Sequence, residues 1–172
     1  MRMTLHWVPA TDRSELLADP VALAVRDIDG VEVAEIDPDL ADTAAFCERY
    51  GVRLDESANC VVVAAKRGGE TRYAACMVLA TMRVDVNGVV RRHLESRKAS
   101  FAPMADAVEL TGMEYGGITP LGLPDDWPIL VDSHVADHPR VVIGSGVRRS
   151  KLAVSGATLA GLKAAEVLSL TI

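Results

Sequence analysis

A glycine-rich turn, T-G-M-E-Y-G-G-I-T-P from Thr111 to Pro120, carries the residue types best suited to holding a small polar ligand. Two further features go with it: Asp132, which closes the run P-I-L-V-D, and the turn Gly144-Ser145-Gly146. Glycines let backbone N–H groups come close to a ligand, and adjacent N–H groups aimed into a cleft hold a carbonyl oxygen or an anion. An aspartate or a serine hydroxyl beside them accepts hydrogen bonds from hydroxyls or an amine. The same glycines also fit a purely structural role, since turns are where glycine is most often used.

Other reactive side chains are less promising. Cys47, Cys60 and Cys76 are odd in number and share no C-x-x-C spacing, so reduced core residues are expected, not a disulfide framework or a zinc site. Cys60 as a nucleophile would need His93 or His134 as its base, and nothing in the sequence brings either near. A small buried hydrophobe is the expectation for a cysteine in a Val-rich strand. His134 and His138 lie four residues apart around Asp137 without a carboxylate-rich frame, so exposed loop histidines are expected, with no metal and no cofactor.

The elements that must position these residues can be read from local patterns. N-C-V-V-V-A-A-K and T-R-Y-A-A-C-M-V-L-A flank Arg67-Gly68-Gly69-Glu70, which predicts a hairpin of two central strands with both faces covered. Before it, G-V-E-V-A-E-I-D predicts a half-exposed edge strand, and Asp37 to Gly51 predicts a helix with Leu40, Thr43, Cys47 and Tyr50 on its inner face. Asp85 caps a further predicted helix with Arg91 and Arg92 facing out, and Lys98 to Phe101 reads as a short strand. A helix from Pro103, packing Met104, Val108 and Leu110, ends at Gly112 and delivers the chain into the glycine-rich turn. P-I-L-V-D, P-R-V-V-I-G and Lys151 to Val154 read as strands, Ser155 as a helix cap, and A-E-V-L-S-L as the closing strand. The fold class predicted is α/β (mixed), a single domain over 1–172. Its mixed, mostly antiparallel sheet has about seven or eight strands, is partly barrel-like, and is packed by about four or five short helices.

Composition is globular, with 49% hydrophobic and 24% charged residues, and no apolar run approaches a membrane span. The opening M-R-M-T-L-H-W-V-P-A lacks the apolar stretch of a signal peptide, so a cytoplasmic location is expected, with oligomeric state left open. The net charge of −6 is uneven: residues 1–57 hold 13 acidic and 5 basic side chains, the remainder 11 and 13. A polyanionic partner is therefore compatible with the chain, because binding depends on local basic clusters. Arg91, Arg92, Arg97 and Lys98 form one cluster, and Arg148, Arg149 and Lys151 a second. Ordinary solvated faces are the alternative for both. Five Phe and Tyr residues, most expected to be buried, give no sign of base stacking.

In their order, these features resemble the YbaK and prolyl-tRNA synthetase-associated aminoacyl-tRNA editing domains. The resemblance lies in Leu110-Thr111-Gly112 at a helix end, Gly116-Gly117-Ile118-Thr119-Pro120, Val131-Asp132-Ser133, and Gly144-Ser145-Gly146, and spans about residues 58–170. It implies hydrolysis, without a metal, of the ester joining a wrong, small amino acid to the terminal ribose of tRNA. The residues so implicated are Asn59, Gly116, Gly117 and Asp132 for chemistry and Pro120, Gly144, Ser145, Gly146 and Lys151 for substrate. The two arginine and lysine clusters would meet the tRNA. Active members carry a lysine at the start of the first central strand, where this chain has Asn59; Lys151 is a candidate substitute cation, while Lys66 is expected to face solvent. A non-catalytic module that binds an aminoacyl-adenosine-like ligand is the alternative.

Overall fold

The computed structural model describes residues 2–172. In chain order the strands are Val8–Pro9 (β1), Glu32–Glu35 (β2), Ala58–Arg67 (β3), Glu70–Leu79 (β4), Lys98–Phe101 (β5), Ile129–Asp132 (β6), Val141–Gly144 (β7), Ser150–Val154 (β8) and Ala165–Leu168 (β9). The α-helices are Asp19–Ala24 (α1), Thr43–Tyr50 (α2), Arg91–His93 (α3), Met104–Thr111 (α4), Ser133–Ala136 (α5) and Gly156–Ala160 (α6).

The strands form two sheets, ordered β1-β2-β8-β7 and β5-β3-β4-β6-β9. β6 runs parallel to β4 and to β9, and the other ladders are antiparallel. The partly barrel-like closure expected from the sequence does not occur. A single bridge from Ser57 to Val142 links the start of β3 to β7, and both sheets keep free edges. They pack through side chains instead: Met77 and Val131 of the larger sheet meet Ile143 and Leu152 of the smaller one in one fully buried cluster. Burying such a side chain contributes about 2 kcal/mol each.

The β3–β4 hairpin forms as its sequence predicts, registered from Ala58 opposite Leu79 to Arg67 opposite Glu70. Its continuous apolar character is explained by a second cluster behind it, where Val63, Cys76 and Leu130 pack against Val86 and Val90. Asp85 caps that segment by accepting from the N–H groups of Gly88 and Val89, but the turn it starts is a wide π-helix, Val86–Val90. Ser155 likewise caps α6 through the N–H of Thr158.

Three local expectations are corrected. β2 is not an edge strand: β8 pairs along its length, β1 covers Glu32 and Val33, and Val33 and Ala34 are buried. The helix expected from Asp37 is broken. Asp37 caps only a 3-10 turn, Pro38–Leu40, and α2 starts afresh after Asp42, burying Phe46, Cys47 and Tyr50 before Gly51 ends it at φ +72°. In α4, Met104 and Leu110 face solvent, because Ala107 and Thr111, one turn apart, form the buried stripe.

Candidate active site

The start of β3, the glycine-rich turn and the end of β7 meet in a cleft of about 250 Å³ between the two sheets. The rims of this cleft are set by backbone contacts that require glycine. A side chain at Gly144 would place its Cβ 2.5 Å from the carbonyl oxygen of Gly117 and 2.8 Å from that of Ile118. One at Gly117 would sit 2.8 Å from the carbonyl oxygen of Val147. Only bare backbone lets the turn and β7 approach this closely. The two glycine turns are also laced together: the Gly146 N–H donates to Gly117 O at 2.6 Å, and Glu114 N–H to Gly146 O at 2.8 Å.

This packing decides which N–H groups remain for a ligand. The Gly117 N–H is spent within the turn, on Glu114 O at 3.0 Å. Those of Gly116 and Ile118 make no hydrogen bond to any described residue, and both residues line the cleft. Gly116 holds φ +83°, a conformation that suits glycine.

Asn59 forms part of the facing wall. Its Oδ1 accepts from Thr43 Oγ1 at 2.8 Å, which ties the amide to the first turn of α2 and leaves its N–H donors for other partners. Cys60 also lines the cleft, but burial pushes its thiol well above the ordinary range, and no histidine lies on the cleft wall. Thiolate chemistry is therefore disfavoured.

Lys151 enters from the smaller sheet, opposite Gly144 on β7 and Ala34 on β2. It is 7% exposed. Its Nζ donates to Ala41 O at 2.8 Å and lies 5.2 Å from the centre of the Phe46 ring. Burial lowers its pKa to about 8. Among the described residues no carboxylate forms an ion pair with it.

Arg148 closes the mouth. Its guanidinium donates to Asp42 Oδ1 at 3.3 Å, Tyr115 O at 3.4 Å and Pro38 O at 3.2 Å, and it packs against Gly116. Arg148 thus holds the rim of the cleft, and its partners leave it less free for a phosphate than the sequence suggests. Arg149 donates to Glu15 O at 2.7 Å. Arg92, Arg97 and Lys98 are exposed at α3 and β5, and Arg91 bonds Asn87 O, so the two basic groups lie on separate elements.

Of the residues singled out from the sequence, Asn59, Gly116, Gly144 and Lys151 come together in the cleft. Gly117, Pro120, Asp132, Ser145 and Gly146 do not line it. Pro120 is buried. Ser145 is buried and its hydroxyl serves Val147 O and Ser150 O, both at 3.1 Å. Gly146, at φ +90°, packs against Ala18 and Val21. Asp132 is fully buried and caps α5: it accepts from His134 N at 3.1 Å and Leu170 N at 2.9 Å, with His134 Nδ1 2.9 Å away. Sequence reasoning missed Asp42 and Thr43 on the cleft wall, and within the glycine-rich turn it did not single out Tyr115 or Ile118. The Asp-Thr pair sits at a helix start, where the cap pattern was legible but its target was not. Exposed Tyr115 and Phe101 also correct the expectation of mostly buried aromatic rings.

The fold is a two-sheet α/β domain with a glycine-walled cleft that holds one buried lysine. The chain belongs to the aminoacyl-tRNA editing domain family, whose model matches residues 37–162. The match begins before β3 and so takes in α2, with Asp42 and Thr43. Among solved structures, the fold is similar to that of a candidate trans-editing enzyme for prolyl-tRNA synthetase. That likeness has TM-score 0.76 and 21% identity, covering 96% of this chain and 98% of that one. A hypothetical protein gives TM-score 0.74 at 20% identity over 83% and 92% of the two chains. A scaffold protein from computational epitope backbone grafting gives 0.77 at 21% over 90% and 97%. At these identities the structures establish the fold. Comparison with curated proteins finds no significant match. Among the described residues no helix is long and apolar enough to cross a membrane, and no group of three His, Cys, Asp or Glu side chains is placed to hold a metal ion.

Proposed function

We propose that this protein is a trans-acting, cytoplasmic deacylase that hydrolyses the ester of a small, wrong amino acid on tRNA. The observation that carries the reading is that Gly116 and Ile118, whose N–H groups bond to no described residue, line the same cleft as Asn59. Donors fixed in advance at the point where a carbonyl oxygen gains charge are the main requirement of ester hydrolysis. Water adds to the ester carbonyl carbon, the bond to the ribose oxygen breaks, that oxygen takes up one proton, and the amino acid leaves as its carboxylate with the second proton released to solvent. Family membership supports aminoacyl-tRNA as the substrate class. A cleft of about 250 Å³ between Gly144 and Cys60 supports a small aminoacyl group. Exposed Arg92, Arg97 and Lys98, with Arg91, would meet tRNA phosphates outside the cleft.

The test is a panel of mischarged tRNAs, including alanyl-, cysteinyl- and seryl-tRNA, incubated with the protein while ester loss is followed. Turnover of at least one above buffer is expected. Absence of turnover across the panel sinks the enzyme reading; tRNA binding that persists and weakens with salt would then favour the non-catalytic module.

A further inference from the structure

Lys151 is an unusual group to find inside this fold. Taking an ammonium out of water is costly unless it is paired, and buried lysines are normally matched by a carboxylate. Here the surroundings supply one carbonyl, Ala41 O, and the face of Phe46. An ammonium has three N–H donors, so two are left over. The charged groups that act on it, Asp42 and Arg148, are bound to each other, and Cys47 is a thiol whose own pKa is raised by burial. Among the described residues nothing but Ala41 O accepts a hydrogen bond from Nζ, and Lys151 lines the cleft.

We propose that Lys151 is the oxyanion-binding cation of the site, completing its hydrogen bonding with the carbonyl oxygen of the aminoacyl ester. The choice of that oxygen follows from the tether and from burial. A substrate tethered to a long RNA must keep its nucleoside and phosphates toward solvent, so the untethered aminoacyl end meets the buried groups of the cleft, of which Lys151, 7% exposed, is the cation. A phosphate, on the RNA side of the nucleoside, would stay outside. As water adds and gives up a proton to solvent, the carbonyl oxygen becomes an alkoxide, and the ammonium stabilises it together with the N–H groups of Gly116 and Ile118. The tetrahedral intermediate then collapses, the ribose oxygen leaves and takes up a proton, and the lysine keeps its own throughout. In this arrangement the cation comes from β8 on the smaller sheet and shares the cleft with a β3 residue that is neutral, Asn59.

The inference rests on the deacylase reading for its substrate. Its test uses the full chain, whichever mischarged tRNA the wild type turns over, and a hydrolysis-resistant analogue, 3′-alanylamino-3′-deoxyadenosine. Lys151→Met should lower kcat by about 100-fold or more, as loss of an oxyanion donor does. Its thermal stability should hold or rise, because an apolar side chain of similar volume replaces a buried charge. Lys151→Arg should recover part of the rate.

The wild-type pH profile gives a second readout that needs no variant. With burial lowering the lysine to about 8, the enzymatic rate, corrected for spontaneous hydrolysis, should fall as pH rises through that value. Lys151→Arg should abolish the fall. Wild-type turnover retained within threefold by Lys151→Met, with an unchanged pH profile, overturns the proposal while leaving the deacylase reading intact. If the wild type binds the analogue without turnover, equal affinity in Lys151→Met overturns it, and a tenfold or greater loss supports it. A wild type that neither turns over the panel nor binds the analogue rejects both readings together.

Discussion

Thr43 Oγ1 donates to Asn59 Oδ1 at 2.8 Å, joining the first turn of α2 to the start of the central hairpin. The bond crosses from the acidic N-terminal part of the chain to the strand that forms the cleft wall. It also orients the amide, since an Asn oxygen held on one side turns the N–H donors to the other. Thr43→Val keeps the shape of the side chain and removes the donor. We expect a loss of about 1 kcal/mol in stability and a several-fold drop in turnover. Thermal denaturation and deacylation kinetics check the two effects separately, and an unchanged rate would make Asn59 a bystander.

Arg148 joins Pro38, Asp42 and Tyr115 across the mouth of the cleft. Its side chain is 30% exposed, and its partner Asp42 is 71% exposed, so the ion pair itself adds little stability. Its effect is on position: without it, the Tyr115–Gly116 segment loses its link to the N-terminal part. Arg148→Ala should lower kcat/KM by roughly tenfold through misplacement of the N–H wall, with a small change in Tm. Arg148→Lys should not restore the rate, because an ammonium lacks the planar fork that reaches several oxygens together.

Asp132 is expected to behave differently from what its motif suggests. Its carboxylate is fully buried and ties α5 to the segment after β9. Asp132→Ala would leave the Leu170 N–H without a partner in a place water does not reach. We expect a loss of about 3 kcal/mol, or roughly 6–12 °C in Tm for a domain of this size. Turnover per folded molecule should stay within about twofold. A large rate loss with an unchanged Tm would return this residue to the substrate site.

The contrast between Asp132 and Gly116 shows what the sequence could and could not convey. Local patterns fixed the hairpin, the four-residue strands at Lys98 and Ile129, and the caps at Asp85 and Ser155, because each depends on neighbours a few residues away. Asp132 and Ser145 sit at strand ends beside glycine turns, as ligand-binding residues do. Which way such a side chain faces is decided by contacts from distant segments, here Leu170 and Leu16-bonded Ser150. The same holds for Thr43 and Asp42, whose part in the cleft depends on where α2 packs. Lys151 was legible as a candidate substitute cation after the Gly-Ser-Gly turn, but its burial beside Ala41 and Phe46 was not, because both come from the distant α2 region.

Tight tRNA binding should depend on exposed cations outside the cleft. Arg97 and Lys98 stand free at the start of β5, whereas nearby Arg67 pairs with Glu95 at 3.7 Å. Replacing both with glutamine should weaken tRNA binding without altering hydrolysis of a short aminoacyl-minihelix at saturation. The slope of log K against log salt should fall by about 2, one for each phosphate contact removed. An unchanged slope would make this cluster an ordinary solvated surface.

The neutral wall at Asn59 and the buried cation at Lys151 together predict the outcome of a charge swap. Both residues line the same cleft, so Asn59→Lys alone places a second ammonium near the first and breaks the bond to Thr43. Like charges in a poorly solvated site lower one another's pKa and disfavour protonation of both. The single variant should therefore be no faster than wild type at neutral pH, and less stable. In Lys151→Met the repulsion is absent, and a lysine introduced at position 59 can approach the same carbonyl oxygen from the opposite wall. We expect Asn59→Lys in that background to recover about tenfold of the lost rate, measured as kcat on the tRNA the wild type prefers. Recovery would show that the cleft requires one cation and tolerates its origin from either sheet. A double variant as slow as Lys151→Met would show that the position of Lys151, not its charge alone, is what the reaction needs.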